Sequence, residues 1–147
     1  RKSDLMDKET VTRMHSLTRR ILLSLLGTMV LAFSAQAQVS RIAPKMLKEM
    51  LDTKSDLVII DVLTLEEYKE GHIGGALLLP YDQINAASVA KAIGGDKNRT
   101  VIVYCRSGRR SEIAAQSLTS LGYKKVFDLG AISVWPYGIQ KGPPPAP

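Results

Sequence analysis

Residues Thr100–Gly122 read TVIVYCRSGRRSEIAAQSLTSLG. The first six are β-branched, aromatic or apolar with no polar alternation, the pattern of a strand buried on both faces. The last twelve, Ser111–Gly122, begin on a helix-capping residue type and end in glycine. They place Ile113, Ala114, Leu118 and Leu121 at helical spacing, which predicts an amphipathic helix. A buried strand feeding a helix through a short polar loop, Arg106–Arg110, is half of a βαβ unit. The sole cysteine of the chain, Cys105, stands at the junction, followed by Arg106, Arg109 and Arg110.

The same alternation continues in both directions. Upstream, Pro44–Asp52 carries Met46, Leu47, Met50 and Leu51 at helical spacing behind a proline that a first turn tolerates. Asp56–Asp61 is an apolar run ending in an acid, a second buried strand. Thr64 and Glu67 form a capping-box pair that opens a short helix closed by Gly71. Gly75–Pro80 reads as a strand stopped by proline. Ile84–Gly95 reads as a helix with Ile84, Ala87, Val89 and Ile93 on one face. Downstream, Lys125–Leu129 reads as a short strand, and Val39–Ile42 as a further edge strand. Strands alternating with helices predict an α/β domain with a mainly parallel central sheet and helices on both faces. Ligands of such sheets sit beyond the carboxyl ends of the strands, where Asp61 and the Cys105 loop both lie.

Composition sets limits on function. The 147 residues are 45% hydrophobic and 23% charged with a formal charge of +6, enough for one domain. Residues 1–37 hold six of the basic residues and three of the acidic ones, so the remainder carries only +3. That excess is too mild and scattered for a nucleic-acid surface. The tight basic cluster at the cysteine loop suits a small anion. Within residues 1–37, Met14–Arg20 is a basic run, Ile21–Phe33 is apolar over 13 residues, and Ala35 and Ala37 make an A-x-A cleavage pattern. This predicts a removable export signal, with an uncleaved anchor as the alternative, and Arg19–Arg20 also resembles a twin-arginine signal. The expected organisation is upstream residues and signal over 1–37, one domain over 38–141, and a Pro-rich tail over 142–147. The protein would then act in the periplasm or as a secreted protein and meet a membrane only during export. One cysteine leaves no internal disulfide and no C-x-x-C redox pair, and with His72 the only histidine after the signal there is no zinc set. Neither metal nor cofactor is expected.

The loop itself predicts chemistry. Backbone N–H groups of a short loop entering a helix converge into an anion-binding cup, and the helix dipole adds to it. A thiolate at the base of that cup is stabilised by the amides and by nearby guanidinium groups. Arginines at its rim attract an incoming oxyanion. Asp61 and His72 read as supporting residues behind the site rather than as an acid or base. Trp135 reads as core or pocket rim, and Glu66, Glu67 and Glu70 as a solvated helix face.

YCRSGRRS resembles the active-site loop of single-domain rhodaneses, the thiosulfate sulfurtransferases. IIDVLTLEEYKEGHIGGALLLP (Ile59–Pro80) and LTSLGYKKVFDLGAISVW (Leu118–Trp135) resemble two further segments of that family, in order. With the signal, the chain is most similar to the small periplasmic, phage-shock-type members. The resemblance implies that Cys105 takes the outer sulfur of thiosulfate as a persulfide and passes it to cyanide or a thiol. Arg106, Arg109 and Arg110 would position the sulfonate, and the amides of residues 106–110, including Ser107 and Gly108, would hold the persulfide. Ser111 would cap the following helix and can donate into the cup. Two positions depart from the family pattern: Leu63 where it has arginine, and Ala131 where it has a second glycine. The rival readings are a non-catalytic module of this family, a persulfide carrier acting on a partner protein, and a phosphatase or arsenate reductase of the same fold.

Overall fold

The computed structural model describes residues 39–145; the export signal read at Met14–Ala37 lies outside the described residues. Strand β4 (Thr100–Cys105) is the middle strand of a five-stranded sheet, which is why it reads as unbroken apolar sequence. Before it come β1 (Ser40–Arg41), α1 (Pro44–Asp52), β2 (Leu57–Asp61), α2 (Leu65–Glu70), β3 (Leu77–Leu78) and α3 (Ala86–Ile93). After it come α4 (Arg109–Ser120) and β5 (Lys125–Ala131). The spatial order is β1-β5-β4-β2-β3, and all four pairings are parallel. The predicted α/β class and parallel sheet therefore stand.

Alternation along the strands divides the core into two layers. Val58, Ile60, Val101, Val103 and Cys105 face one way, against Val89 and Ile93 of α3 and Ala114, Ala115 and Leu118 of α4. Ile59, Ile102, Tyr104 and Leu129 face the other way, against Leu47 of α1 and Tyr68 of α2. Helices thus cover both faces, as a parallel sheet requires.

Several boundaries differ from the sequence reading. β3 is only two residues long, because Ala76 ties back to Ile73 and Pro80 starts a 3-10 turn at Tyr81–Gln83. β5 runs on to Ala131, two residues past the expected end at Leu129. α3 starts at Ala86, with Asn85 accepting from the amides of Ala87 and Ser88; Ala87 is exposed, and the buried side chains are Val89 and Ile93. The largest shift is in α4, which begins at Arg109 and not at Ser111. Gly108 takes the N-cap position with φ +95°, a left-handed conformation that favours glycine. Ser111 is therefore inside the first turn, and Arg109 and Arg110 belong to the helix rather than the loop. The earlier start also turns Ile113 outward, to 39% exposed, while Ala115 is buried.

The two departures from the family pattern are absorbed quietly. Leu63 is 2% exposed within the core layer that holds Cys105. Ala131 has φ −81° and ψ 136°, ordinary extended backbone, so no glycine is needed there.

Ile102→Ala, in the middle strand with no exposed surface, should cost about 2–5 kcal/mol by the cavity it leaves. Ile113→Ala should stay within about 1 kcal/mol, because a half-exposed helix position loses little burial and gains helix propensity. Urea denaturation of the two variants checks both the helix register and the inward face.

Candidate active site at the end of β4

The carboxyl end of β4 delivers Cys105 to the start of α4 through three residues, Arg106–Gly108. The chain reverses tightly enough for the Gly108 amide to donate back to Cys105 Sγ at 3.1 Å. Ser111 Oγ lies 3.7 Å from the same sulfur and donates to the Gly108 carbonyl at 2.9 Å. Cys105, Gly108 and Ser111 are all buried, whereas Arg106, Ser107 and Arg109 are exposed. The sulfur thus takes one backbone N–H, at the N-terminus of α4, where the first-turn amides have no partner within the helix.

The rim is not a set of three equivalent cations. Glu67 of α2 reaches across the carboxyl edge of the sheet and takes Arg110 bidentately, at 2.7 and 2.9 Å. The same carboxylate receives Arg106 Nε at 3.2 Å, and Glu70 takes Arg106 Nη2 at 3.3 Å. Glu67 Oε2 also accepts the Thr64 amide at 3.0 Å, completing the capping box that starts α2. Among the described residues Arg109 forms no ion pair, so of the three arginines it alone is exposed and uncommitted to a carboxylate. Sequence reasoning placed Glu67 and Glu70 on a solvated face; Glu67 is instead a bridge between helices on opposite faces of the sheet. The arginine in α4 five residues after the cysteine, unpaired in the sequence, was the available signal.

The guanidinium of Arg110, then burial against it, sets the Glu67 carboxyl: the hydrogen bond outweighs the burial and holds it down at about 2. Arg110 is raised in return, chiefly by that hydrogen bond.

Asp61 and His72 are brought together, but not with the thiol. Asp61 alternates with Ile60 and so points to the opposite face of the sheet from Cys105, beside its register partner Tyr104. Its Oδ1 accepts the Leu63 amide at 2.9 Å, and Oδ2 is buried with no hydrogen-bond partner. Burial pushes the Asp61 carboxyl up, against the opposing pull of the Tyr104 hydroxyl and the Leu63 amide. Burial likewise raises Tyr104. His72 stacks on Tyr68 at 3.8 Å between ring centroids, with Nδ1 2.9 Å from the Tyr68 carbonyl. Its backbone exchanges two hydrogen bonds with Gln140, at 2.9 and 2.8 Å, strapping the C-terminal segment down. Both residues thus brace the layer beneath the loop. Trp135 is buried in that layer, its Nε1 donating to the Gly138 carbonyl at 3.0 Å.

Comparison with known proteins adds a family. Residues 43–135 match the rhodanese-like domain. The putative sulfur carrier protein YrkF of Bacillus subtilis is 31% identical over 93 residues, 63% of this chain and 48% of that protein. The chain thus spans about half the length of that relative. Thiosulfate sulfurtransferase PspE of Escherichia coli is 38% identical over 73 residues, 50% of this chain and 68% of that protein. A solved structure described as a rhodanese with anions from E. coli superposes with a TM-score of 0.54 at 35% identity, covering 58% of this chain and 98% of that one.

The Glu67 bridge predicts an acid-sensitive contribution to stability. Its carboxyl sits at about 2 in the folded chain against an ordinary 4.5, so the stabilisation is complete above about 4.5 and is lost as pH falls toward 2. Glu67→Gln keeps the capping box, since glutamine serves at that position. At neutral pH it should unfold about 1–3 kcal/mol more easily than wild type, the range for a charge-assisted hydrogen bond, and the two curves should converge near pH 2. Denaturant midpoints across that range measure it.

Proposed function

The chain belongs to the rhodanese-like domain family, and from that membership we propose that it is a thiosulfate sulfurtransferase working through a persulfide on Cys105. Its relatives by name include a sulfurtransferase and a sulfur carrier, and sulfur transfer is the chemistry common to both. The observation that carries the proposal is the Cys105 sulfur seated 3.1 Å from the Gly108 amide at the start of α4, a helix whose first residue is the exposed Arg109.

The Cys105 thiolate attacks the outer sulfur of thiosulfate. A bond forms between Sγ and that sulfur, the S–S bond of thiosulfate breaks, and its electron pair leaves with sulfite. The persulfide then carries the negative charge on its terminal sulfur, where the free amides of α4 and the helix dipole stabilise it. Attack by cyanide or a thiolate on the terminal sulfur forms thiocyanate or a new persulfide and returns the Cys105 thiolate. Because the enzyme is covalently changed between two half-reactions, the kinetics are ping-pong.

The three-residue span from Cys105 to the helix also bears on the phosphatase rival. A cup closed this tightly has its nearest amide already bonded to sulfur, which suits one added sulfur atom better than a tetrahedral phosphate. The carrier reading, favoured by the name of the Bacillus relative, shares the first half-reaction and differs only in the acceptor. With Cys105 wholly buried, that acceptor must present a slender nucleophile.

Intact mass spectrometry after incubation with thiosulfate should show one added sulfur on wild type and none on Cys105→Ser. No adduct together with hydrolysis of an aryl phosphate would transfer the assignment to the phosphatase reading, and neither reaction would leave the binding-module reading. Arg109→Ala should raise KM for thiosulfate about tenfold at low ionic strength, the effect of one charge-assisted contact. The difference should narrow at high salt, where the attraction is screened. Equal KM values at both ionic strengths would remove the donor role from Arg109.

A further inference from the structure

A buried acid lies on the far side of the site, in β5. Asp128 has no exposed surface, and its Oδ2 accepts no hydrogen bond. Its Oδ1 accepts the Gly130 amide at 2.7 Å, and its Oδ2 pairs with Arg41 Nη1 of β1 at 3.3 Å. The first contact spans two residues and changes the course of the strand. Val103 is opposite Asp128, but Tyr104 is opposite Gly130, so Leu129 is an extra residue and β5 is bulged. Gly130 takes φ +86° there, a left-handed conformation.

The bulge sits between the edge strand and the cysteine loop. On one side a Cβ at Gly130 would meet Arg41 Nη1 at 2.9 Å. On the other, a Cβ at Gly108 would lie 3.7 Å from the Gly130 Cα and 3.8 Å from the Ala131 amide nitrogen. Gly108 is the residue whose N–H reaches the Cys105 sulfur. Two glycines with left-handed backbone therefore lie side by side within about the width of one methyl group, one fixed by a carboxylate and the other donating to the thiol.

We infer that Asp128 is a positioning residue for the Cys105 nucleophile, acting through the Gly130 bulge to hold the Gly108 amide on the sulfur, with Arg41 as the cation paired with its carboxylate. The inference rests on Cys105 being the nucleophile of the proposed reaction. Asp128 touches neither substrate nor sulfur. Its carboxylate satisfies the buried Gly130 amide and so fixes the left-handed turn. Without it that amide has no partner, the turn relaxes, and the surface against which Gly108 rests moves. The thiolate then loses its nearest donor, whereas the ion pairs of Arg106 and Arg110, anchored on α2, remain.

The test reads the thiol directly, so that it stands apart from sulfur transfer. The full chain is alkylated with iodoacetamide across a pH series, and thermal unfolding is recorded for each variant. Asp128→Ala should move the alkylation profile to higher pH and lower the rate at neutral pH about tenfold, the loss of one hydrogen bond to a charged sulfur. Asp128→Asn retains an acceptor for the Gly130 amide and should stay within about twofold of wild type. Should Asp128→Ala fail to fold, Gly130→Ala decides: it disturbs the bulge without changing charge and must shift the profile in the same direction. A folded Asp128→Ala or Gly130→Ala with the wild-type profile overturns the inference, as does an Asp128→Asn as impaired as the alanine variant. Absence of thiosulfate turnover in wild type with these alkylation shifts intact would remove the sulfurtransferase reading and leave the positioning role standing.

Discussion

One carboxylate, Glu67, ties the two helical layers together over the edge of the sheet where the thiol sits. It receives both nitrogens of the Arg110 fork, Arg106 Nε and the amide that begins its own helix. A parallel sheet leaves its carboxyl edge open, and the strand contacts alone do not fix how a helix on one face sits relative to a helix on the other. The Glu67 bridge supplies that constraint. It holds α2 against the first turn of α4 and keeps two guanidinium groups from repelling each other and Arg109 across a short turn. A bidentate pair with its carboxylate oxygens fully used differs from an exposed ion pair, whose contribution is small.

The opposite wall of the site is made without charge facing the sulfur. The bulge at Leu129 and the left-handed backbone of Gly130 and Gly108 bring β5 alongside the cysteine loop. The Cys105 loop is therefore braced on one side by ion pairs to α2 and on the other by backbone contact with β5. Beneath it, Tyr104 links the layers differently: its hydroxyl accepts the Ile73 amide at 3.0 Å, while its carbonyl accepts the Val62 amide at 3.1 Å. Asp61 and His72 belong to this floor.

Much of this was legible from residue types. The unbroken apolar run Thr100–Cys105 announces a central strand because nothing in it needs solvent. The Thr64–Glu67 capping box is visible because its spacing is fixed by the geometry of one helical turn. What was hidden has a physical cause in each case. Ser111 is a strong cap by type, but Gly108 takes the left-handed position immediately before the helix begins, and one residue of loop geometry outweighs a side-chain preference. β3 is short because of a local turn that apolar content does not report. Glu67 looked solvated because a capping glutamate ordinarily is, and its second use depends on Arg110, forty-three residues away. Asp128 reads as a polar residue in a strand; its buried carboxylate makes sense only once the bulge gives it the Gly130 amide.

The cysteine loop then has two kinds of positive field with different behaviour. The amides of α4 are fixed by the helix and cost no reorganisation when charge develops on sulfur. The guanidinium groups of Arg106 and Arg110 are paired with Glu67 and Glu70, which offsets much of their charge. Arg109 is exposed, uncompensated among the described residues and on a flexible stem, so its attraction is screened by salt and adapts to what arrives. In the proposed reaction, stabilisation of the thiolate and capture of an anionic donor are therefore separable tasks in neighbouring residues. The rigid field belongs to the backbone, and the adjustable one belongs to a single exposed side chain. That separation explains how a cationic sequence of six residues after a cysteine makes a specific site rather than a diffuse basic patch.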